Sequence, residues 1–407
     1  LTSSRRAEAV VCGAGIAGVS TAYFLTVDQG IGSVVLCDPR PPLTLTSDKS
    51  TECYRNWWPD PAMTDFMNRS IDLLEDLSEQ SGDAFHLNRR GYLYVHGAGD
   101  RPEPDGAEAL SREELAHDYP YLTGEATGAI RVRRAGWFSA QQLGAWMLER
   151  AKEHGLTLVR GEVVGVSSGV VSLADGSRIS TGRFVNAAGP MLGEVGAMVG
   201  ADVPAHSEVH QKVAFRDPLG AIPRDAPMLI WADPQRLDLS DEERALCREQ
   251  GRTDLLEELP PGCHCRPEGG GDSDWVLGLW EYHRDVRRPQ WPLPVDPLYP
   301  QTVLRGLATM VPALCAYQGR PPQSFVDGGY YTKTTDNLPL IGPSGEDEAL
   351  VCGALSGYGI MAACAAGELA ALHATGAPLP GYAKAFDPAR YDDPGYEATI
   401  SADTGQI

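Results

Sequence analysis

Residues 9–39 read AVVCGAGIAGVSTAYFLTVDQGIGSVVLCDP, and the order of residue types in this stretch decides the fold. A short apolar run (Val10, Val11, Cys12) predicts a strand. Gly13, Gly15 and Gly18 follow in G-x-G-x-x-G spacing around Ile16 and Ala17, and Val19, Ala22, Tyr23 and Leu25 continue at helical spacing. Ser33 to Cys37 predicts a second strand, closed by Asp38. The first glycine permits a sharp turn, the second lets backbone N–H groups approach a pyrophosphate, and the third lets helix and strand pack closely. Phosphates then meet the positive end of the helix. Asp38 lies twenty residues past Gly18, where it accepts hydrogen bonds from a ribose hydroxyl pair, which favours FAD or NAD(H) over a 2′-phosphorylated cofactor. Pro39 and Arg40 border the same site.

Bulk properties bound the rest. A chain of 407 residues exceeds the usual single core, so two domains are expected. With 43% hydrophobic and 22% charged residues, the composition is that of a soluble globular enzyme. A formal net charge of −21 repels nucleic acid and anionic membrane, so neither is expected as a partner. The nine cysteines are odd in number and spread along the chain, which reads as a reduced, cytoplasmic protein. Cys263-His264-Cys265 would need adjacent residues as ligands and has no second pair at finger spacing, so no metal is expected. The opening LTSSRR runs directly into the first strand, without a signal-peptide core. The apolar run 349–373 contains Gly357, Gly359 and Glu368, against a membrane span.

Other stretches return to the cofactor. Between 47 and 55, Ser47, Ser50 and Thr51 offer hydroxyls and Lys49 and Arg55 offer charge. These suit a helix start facing phosphate and flavin; the alternative is a solvated loop with a helix cap. Phe184 to Pro190 predicts a buried strand ending in a second glycine turn, with Ala187, Ala188 and Gly189 close to a dinucleotide. Leu355 to Met361, a third glycine turn, holds Gly357, Tyr358, Gly359 and Ile360 before a helix. Helices are expected at 63–78, 139–154, 240–259 and 298–314, with capping boxes at Ser139–Gln142 and Ser240–Glu243. Tryptophans and short strands between 203 and 325 suggest a separate antiparallel sheet.

Taken together, VVCGAGIAGVSTAYFL (10–25), VNAAGP (185–190), YYTKTTDNLPLIGP (330–343), ALSGYGIM (354–361) and FDPARY (386–391) resemble the D-amino-acid oxidase superfamily. The branch is that of glycine oxidase, monomeric sarcosine oxidase and dimethylglycine dehydrogenase. The resemblance implies an α/β plus α+β fold, a Rossmann-type FAD-binding domain (1–80, 140–204 and 325–391) interleaved with a substrate domain on an antiparallel sheet (81–139 and 205–324). Residues 392–407 are left as a C-terminal tail. It makes Gly13, Gly15, Gly18 and Asp38 the ADP-binding set, brings the Val163 backbone to the adenine, and sets the 357–361 turn near the flavin ring. Arg55 falls where a substrate carboxylate is clamped, the alternative being a phosphate or surface arginine. Tyr331 matches an active-site tyrosine and His283 a histidine lining the substrate pocket, the alternative for His283 being a structural role.

Three departures qualify this. Gly329 stands where a cysteine attaches the flavin, so FAD is expected to be non-covalent. Met361 replaces a lysine that binds carboxylate, which argues against a simple N-methylglycine substrate. Leu279 stands where a lysine speeds the oxygen reaction, leaving the electron acceptor open between O2 and another, with Lys333 as a nearby cation. The implied reaction is oxidation of the C–N bond of an amine or amino acid, a secondary or cyclic amine being favoured, by hydride transfer to flavin N5 to give an imine. The alternatives are a flavin hydroxylase and a non-catalytic FAD-stabilised scaffold.

Overall fold

The structure is a computed structural model and describes residues 4–99, 105–283, 285–346 and 348–396. The expected 392–407 tail therefore lies mostly outside the described residues. Ala9–Cys12, fully buried, is followed by the helix Ile16–Tyr23 and the strand Val34–Asp38. These strands pair in parallel, as a strand–helix–strand unit requires. The sheet they found has six strands, in the spatial order Leu340–Pro343, Ala349–Gly353, Phe184–Asn186, Ala9–Cys12, Val34–Asp38 and Leu156–Arg160. All neighbours are parallel except Leu340–Pro343 with Ala349–Gly353. Strands so buried read as continuous Val/Leu/Cys runs rather than alternating ones.

Two long helices are stacked beside this sheet, the later one in sequence lying against it and the earlier one outside. Pro61–Ser81 starts at Asp60, whose side chain accepts from the Met63 N–H at 2.8 Å, and stops at Gly82 in the left-handed conformation (φ 65°). Both ends follow from residue type, an aspartate cap and a glycine stop. Gly359–Thr375 is apolar on nearly every face because it is buried between Ile16–Tyr23 and Pro61–Ser81, and a helix without a polar face belongs in a core. Among the described residues no helix is long and apolar enough to cross a membrane.

The second large sheet has eight strands, running Ser324–Thr334, Ala205–Arg216, Trp275–Leu279, Cys263–Glu268, Met228–Trp231, Tyr92–His96, Gly128–Val132 and Glu108–Ser111. It is antiparallel apart from one parallel pair, Met228–Trp231 with Tyr92–His96. Two expectations are corrected. The cofactor domain was set to resume at 325, but Ser324–Thr334 pairs along its whole length with Ala205–Arg216, so that strand is part of the eight-stranded sheet. The segment 47–55 is not a helix start: it forms one 3-10 turn, Thr46–Asp48, and then the strand Cys53–Arg55 against Ala135–Trp137. Glu52, with φ 57° between them, breaks any helical run. Of the expected capping boxes, Ser240–Glu243 is reciprocal, and Ser139 accepts from the Gln142 N–H at the start of Ala140–Glu153.

The C-terminal segment is locked by Asp336. Its carboxylate takes hydrogen bonds from Arg390 Nε (2.8 Å), Thr334 Oγ1 (2.7 Å), the Leu338 N–H (3.0 Å) and Tyr396 Oη (2.6 Å). Burial alone would raise the carboxyl, but the donors from Arg390, Thr334 and Tyr396 outweigh it and hold it well below the usual aspartate range. A depressed folded-state value means that this stability is complete above the exposed-aspartate value of about 3.9 and drains away as pH falls below it. We expect Asp336→Ala to cost about 3–5 kcal/mol at pH 7, because it strands the Arg390 guanidinium. Asp336→Asn should flatten the acid limb of a stability-versus-pH curve measured by urea unfolding.

Candidate active site

The C-terminal ends of the parallel strands open on a cleft of about 910 Å³, which is where open α/β sheets bind ligands. Its floor is made of the glycine turn. Gly13 has φ 105°, and a Cβ there would lie 2.4 Å from the Ala187 carbonyl oxygen; a Cβ on Gly18 would lie 1.8 Å from the carbonyl oxygen of Gly13. Neither position tolerates a side chain. At Gly15 the neighbour of such a Cβ is Ser47 Oγ at 3.3 Å, which also accepts from the Ile16 N–H at 2.9 Å, so the turn backbone faces the cleft with Ser47 over the first N–H of the helix. Asp38 is oriented by two backbone donors, Ala14 N–H on Oδ2 and Arg40 N–H on Oδ1, both 2.8 Å. Gly15, Ile16, Ala17, Asp38, Arg40, Ser50, Ala187, Ala188, Gly189, Gly357, Gly359 and Ile360 all line the cleft with Gly13. A helix start opening on the cleft, a fixed acid at the end of the second strand and two further glycine turns on the rim fit a dinucleotide.

A second cavity, about 480 Å³, adjoins the first and shares Ser50, Tyr331, Gly357 and Ile360 with it. Arg55, 3% exposed, reaches it from the strand Cys53–Arg55. Its guanidinium lies 4.3 Å from the Trp58 ring centroid and 5.9 Å from that of Tyr92, and its Nε has no hydrogen-bond partner among the described residues. Aromatic faces hold a cation in place without neutralising it. Tyr331 is buried, stacked on His210 at 4.0 Å, and its phenol is raised far above the usual range by burial, with Glu281 adding to the effect. Tyr358 lines the same cavity, but its hydroxyl donates to the Asn337 carbonyl at 2.5 Å. Thr51 and Met361 also line it.

Five expected residues are absent from both linings. His283 is absent from both linings: it pairs with Asp296 at 2.9 Å and packs on Tyr282, because the strand has already ended at Leu279. Lys49 binds Asp48 and Asp327 at 2.9 and 2.7 Å and so fastens its loop to the eight-stranded sheet. The Val163 side chain belongs to the core cluster that also holds Val35 and Cys37, which leaves its expected backbone approach to adenine as a proposal, and Pro39 is outside the lining. Gly18 lies under the cleft floor.

Sequence reasoning missed Glu52, Trp58, Tyr92, His264 and Glu281, all of which line the smaller cavity. His264 had a usable signal. In the strand Cys263–Glu268 alternate residues face opposite sides, so Cys263 and Cys265 enter the core and His264 faces the cavity. Leu43, Glu52, Ala354 and Ser356 line the two cavities with φ between 49° and 64°. Left-handed non-glycine residues cost about 1–3 kcal/mol each and gather at ligand clamps.

The model of the FAD-dependent oxidoreductase family DAO matches residues 8–372. No curated protein sequence matches significantly. Among solved structures, L-proline dehydrogenase from P. horikoshii is 23% identical with a TM-score of 0.73, over 96% of this chain and 99% of that one. Glycine oxidase from Geobacillus kaustophilus gives 17% and 0.73 over 94% and 98%. Iminodiacetate oxidase from Chelativorans sp. BNC1 gives 19% and 0.71 over 93% and 98%. A match across most of the chain, on a fold whose glycine turns converge on one cleft, means that this protein belongs to the DAO family of FAD-dependent oxidoreductases.

Proposed function

We propose that the protein oxidises the C–N bond of an amino acid whose nitrogen is secondary or part of a ring. The observation that carries this reading is Arg55, a buried guanidinium with an unpartnered Nε at the wall of a cavity that joins the cofactor cleft. A buried charge without a counter-ion is costly, and a carboxylate in the cavity would supply the missing partner through two parallel hydrogen bonds. FAD, once bound, supplies the acceptor for a hydride from the carbon beside the nitrogen, leaving an imine that water hydrolyses.

The chain's own residues do the rest. Trp58 and Tyr92 keep the guanidinium dry and fixed, so the carboxylate meets a strong, oriented donor pair. The aromatic wall of Tyr92, Tyr331 and Tyr358 keeps water from the reacting carbon. Met228, Leu279 and Met361 give the cavity an apolar side suited to the carbons of a ring or an N-substituent. Cofactor residues are assigned with it: Gly13, Gly15, Ile16, Ala17 and Asp38 for the ADP half, Ala187 to Gly189 and Gly357 to Ile360 for the remainder. The binding is non-covalent. Gly329 offers no thiol, and a Cβ there would already sit 3.0 Å from Thr46 Cα.

Acid precipitation of the yellow holoprotein should therefore leave all flavin in the supernatant, as read by its absorbance. Anaerobic reduction by a panel of amines should favour carboxylate-bearing ones, with L-proline well ahead of pyrrolidine. A flavin that no amine bleaches would end the proposal. Arg55→Gln should weaken carboxylate-bearing substrates by about 100-fold, or about 2.7 kcal/mol, and leave pyrrolidine unchanged. Because the substitution removes an uncompensated buried charge, thermal melting of the variant should be no lower than that of the parent. A marked loss of stability would make Arg55 structural instead.

A further inference from the structure

An amino acid reaches the cavity as a zwitterion, yet its C–H bond yields a hydride only when the nitrogen is uncharged. Resting on the reading above, we propose that His264 Nε2 accepts the proton that the substrate's ammonium must lose. His264 lies on Cys263–Glu268, is 4% exposed, and lines the cavity with Arg55, Glu281 and Tyr331. Its Nδ1 meets the Gly262 carbonyl at 2.7 Å. A carbonyl only accepts, so Nδ1 carries the hydrogen and Nε2 keeps its lone pair. Among the described residues Nε2 has no hydrogen-bond partner. A fixed tautomer with its acceptor nitrogen on a ligand cavity is what proton removal needs.

The surroundings keep the ring uncharged at neutral pH. Burial is the main influence and lowers its value; the Gly262 bond and Glu281 act upward, and Arg55 acts downward. The other titratable groups of the cavity do not compete. Cys53, Tyr92, Tyr331 and Tyr358 are pushed up by burial and stay neutral. Glu52 is raised by burial, opposed by Arg266 and by the Ala140 N–H that it accepts at 2.9 Å, so it holds the start of a helix. Glu281 is two residues past Leu279, the register partner of His264. It lies near the ring and steadies the imidazolium once formed, while its carboxylate meets His210 Nδ1 at 3.6 Å. The proton balance closes: ammonium and neutral imidazole become neutral amine and imidazolium, and the imidazolium later returns its proton to solvent.

Two measurements on the holoprotein test this. The first is binding of tetrahydrofuran-2-carboxylate, which has an ether oxygen where proline has its nitrogen, followed by tryptophan fluorescence from pH 5 to 8. Imidazolium beside Arg55 adds positive charge, so the affinity should rise about three- to tenfold on acidification, with a midpoint below the ordinary histidine value of about 6.5. His264→Asn and His264→Gln should both be flat. The second is flavin reduction by L-proline across pH. The parent should give a kcat/KM that falls on the acid side as the ring protonates and levels off above it, since free amine needs no proton acceptor. Both variants should lose about 10²–10⁴-fold at pH 7 and rise steadily with the free-amine fraction. Absence of binding sinks the Arg55 reading and this one with it. Binding that needs Arg55, with the parent's pH dependence surviving in both variants, sinks this one alone.

Discussion

The cofactor cleft rests on a contact that a single methyl group would abolish. The backbone of Gly18 sits against the carbonyl of Gly13, and Gly13 in turn sits against that of Ala187. These approaches bring the nucleotide helix onto its own strand and draw the Phe184–Asn186 strand in beside it, so the helix N-terminus lands at the mouth of the cleft. Other features follow from this geometry. Asp38 can take hydrogen bonds from Ala14 and Arg40 only because the turn is that tight. Ser47 can accept from the Ile16 N–H at 2.9 Å only because the loop after the second strand passes over the same turn.

That loop joins the two sheets. Thr46 Oγ1 donates to the Tyr330 carbonyl at 3.0 Å, Lys212 Nζ donates to the carbonyls of Asp48 and Ser50 at 3.1 and 2.9 Å, and Lys49 reaches Asp327. Arg266 donates to the Thr51 carbonyl at 2.8 Å and pairs with Glu268. Lys333 pairs with Glu208 at 2.8 Å, which also holds His210. Each of these buried or half-buried cations has oxygen partners. Arg55 differs from them in that its Nε has no hydrogen-bond partner among the described residues, while the rings of Trp58 and Tyr92 lie beside its guanidinium.

The cofactor half was legible in the sequence because its chemistry is local. Gly13, Gly15, Gly18 and Asp38 are held at fixed spacings by one strand, one helix and the next strand, and Ala187 to Gly189 and Gly357 to Ile360 repeat the same glycine logic. The substrate half was legible only in part. Arg55 and Tyr331 came from a resemblance, whereas His264 and Tyr92 come together through the register of an eight-stranded sheet, with Glu281 just past one of its strands and Trp58 brought in by the segment after Cys53–Arg55, which no local pattern encodes. His283 shows the difficulty. His283 follows an apolar run but lies past the end of its strand at Leu279 and pairs with Asp296, whereas His264 lies inside the strand Cys263–Glu268 and faces the cavity. Lys49 is similar, since a positive charge near a phosphate site looks like a ligand until the partner Asp327, far along the chain, is known.

The six-stranded sheet carries a consequence for how the chain is made. Ala349–Gly353 separates Leu340–Pro343 from Phe184–Asn186, and Gly359–Thr375 fills the space between Ile16–Tyr23 and Pro61–Ser81. During translation the chain up to Phe184–Asn186 therefore waits, with an open sheet edge and two unburied helix faces, until residues 349–375 have been made. Folding of such widely separated partners is slow, and exposed edges invite wrong pairing. Recovery of folded protein should therefore improve with chaperone supply and with lower growth temperature.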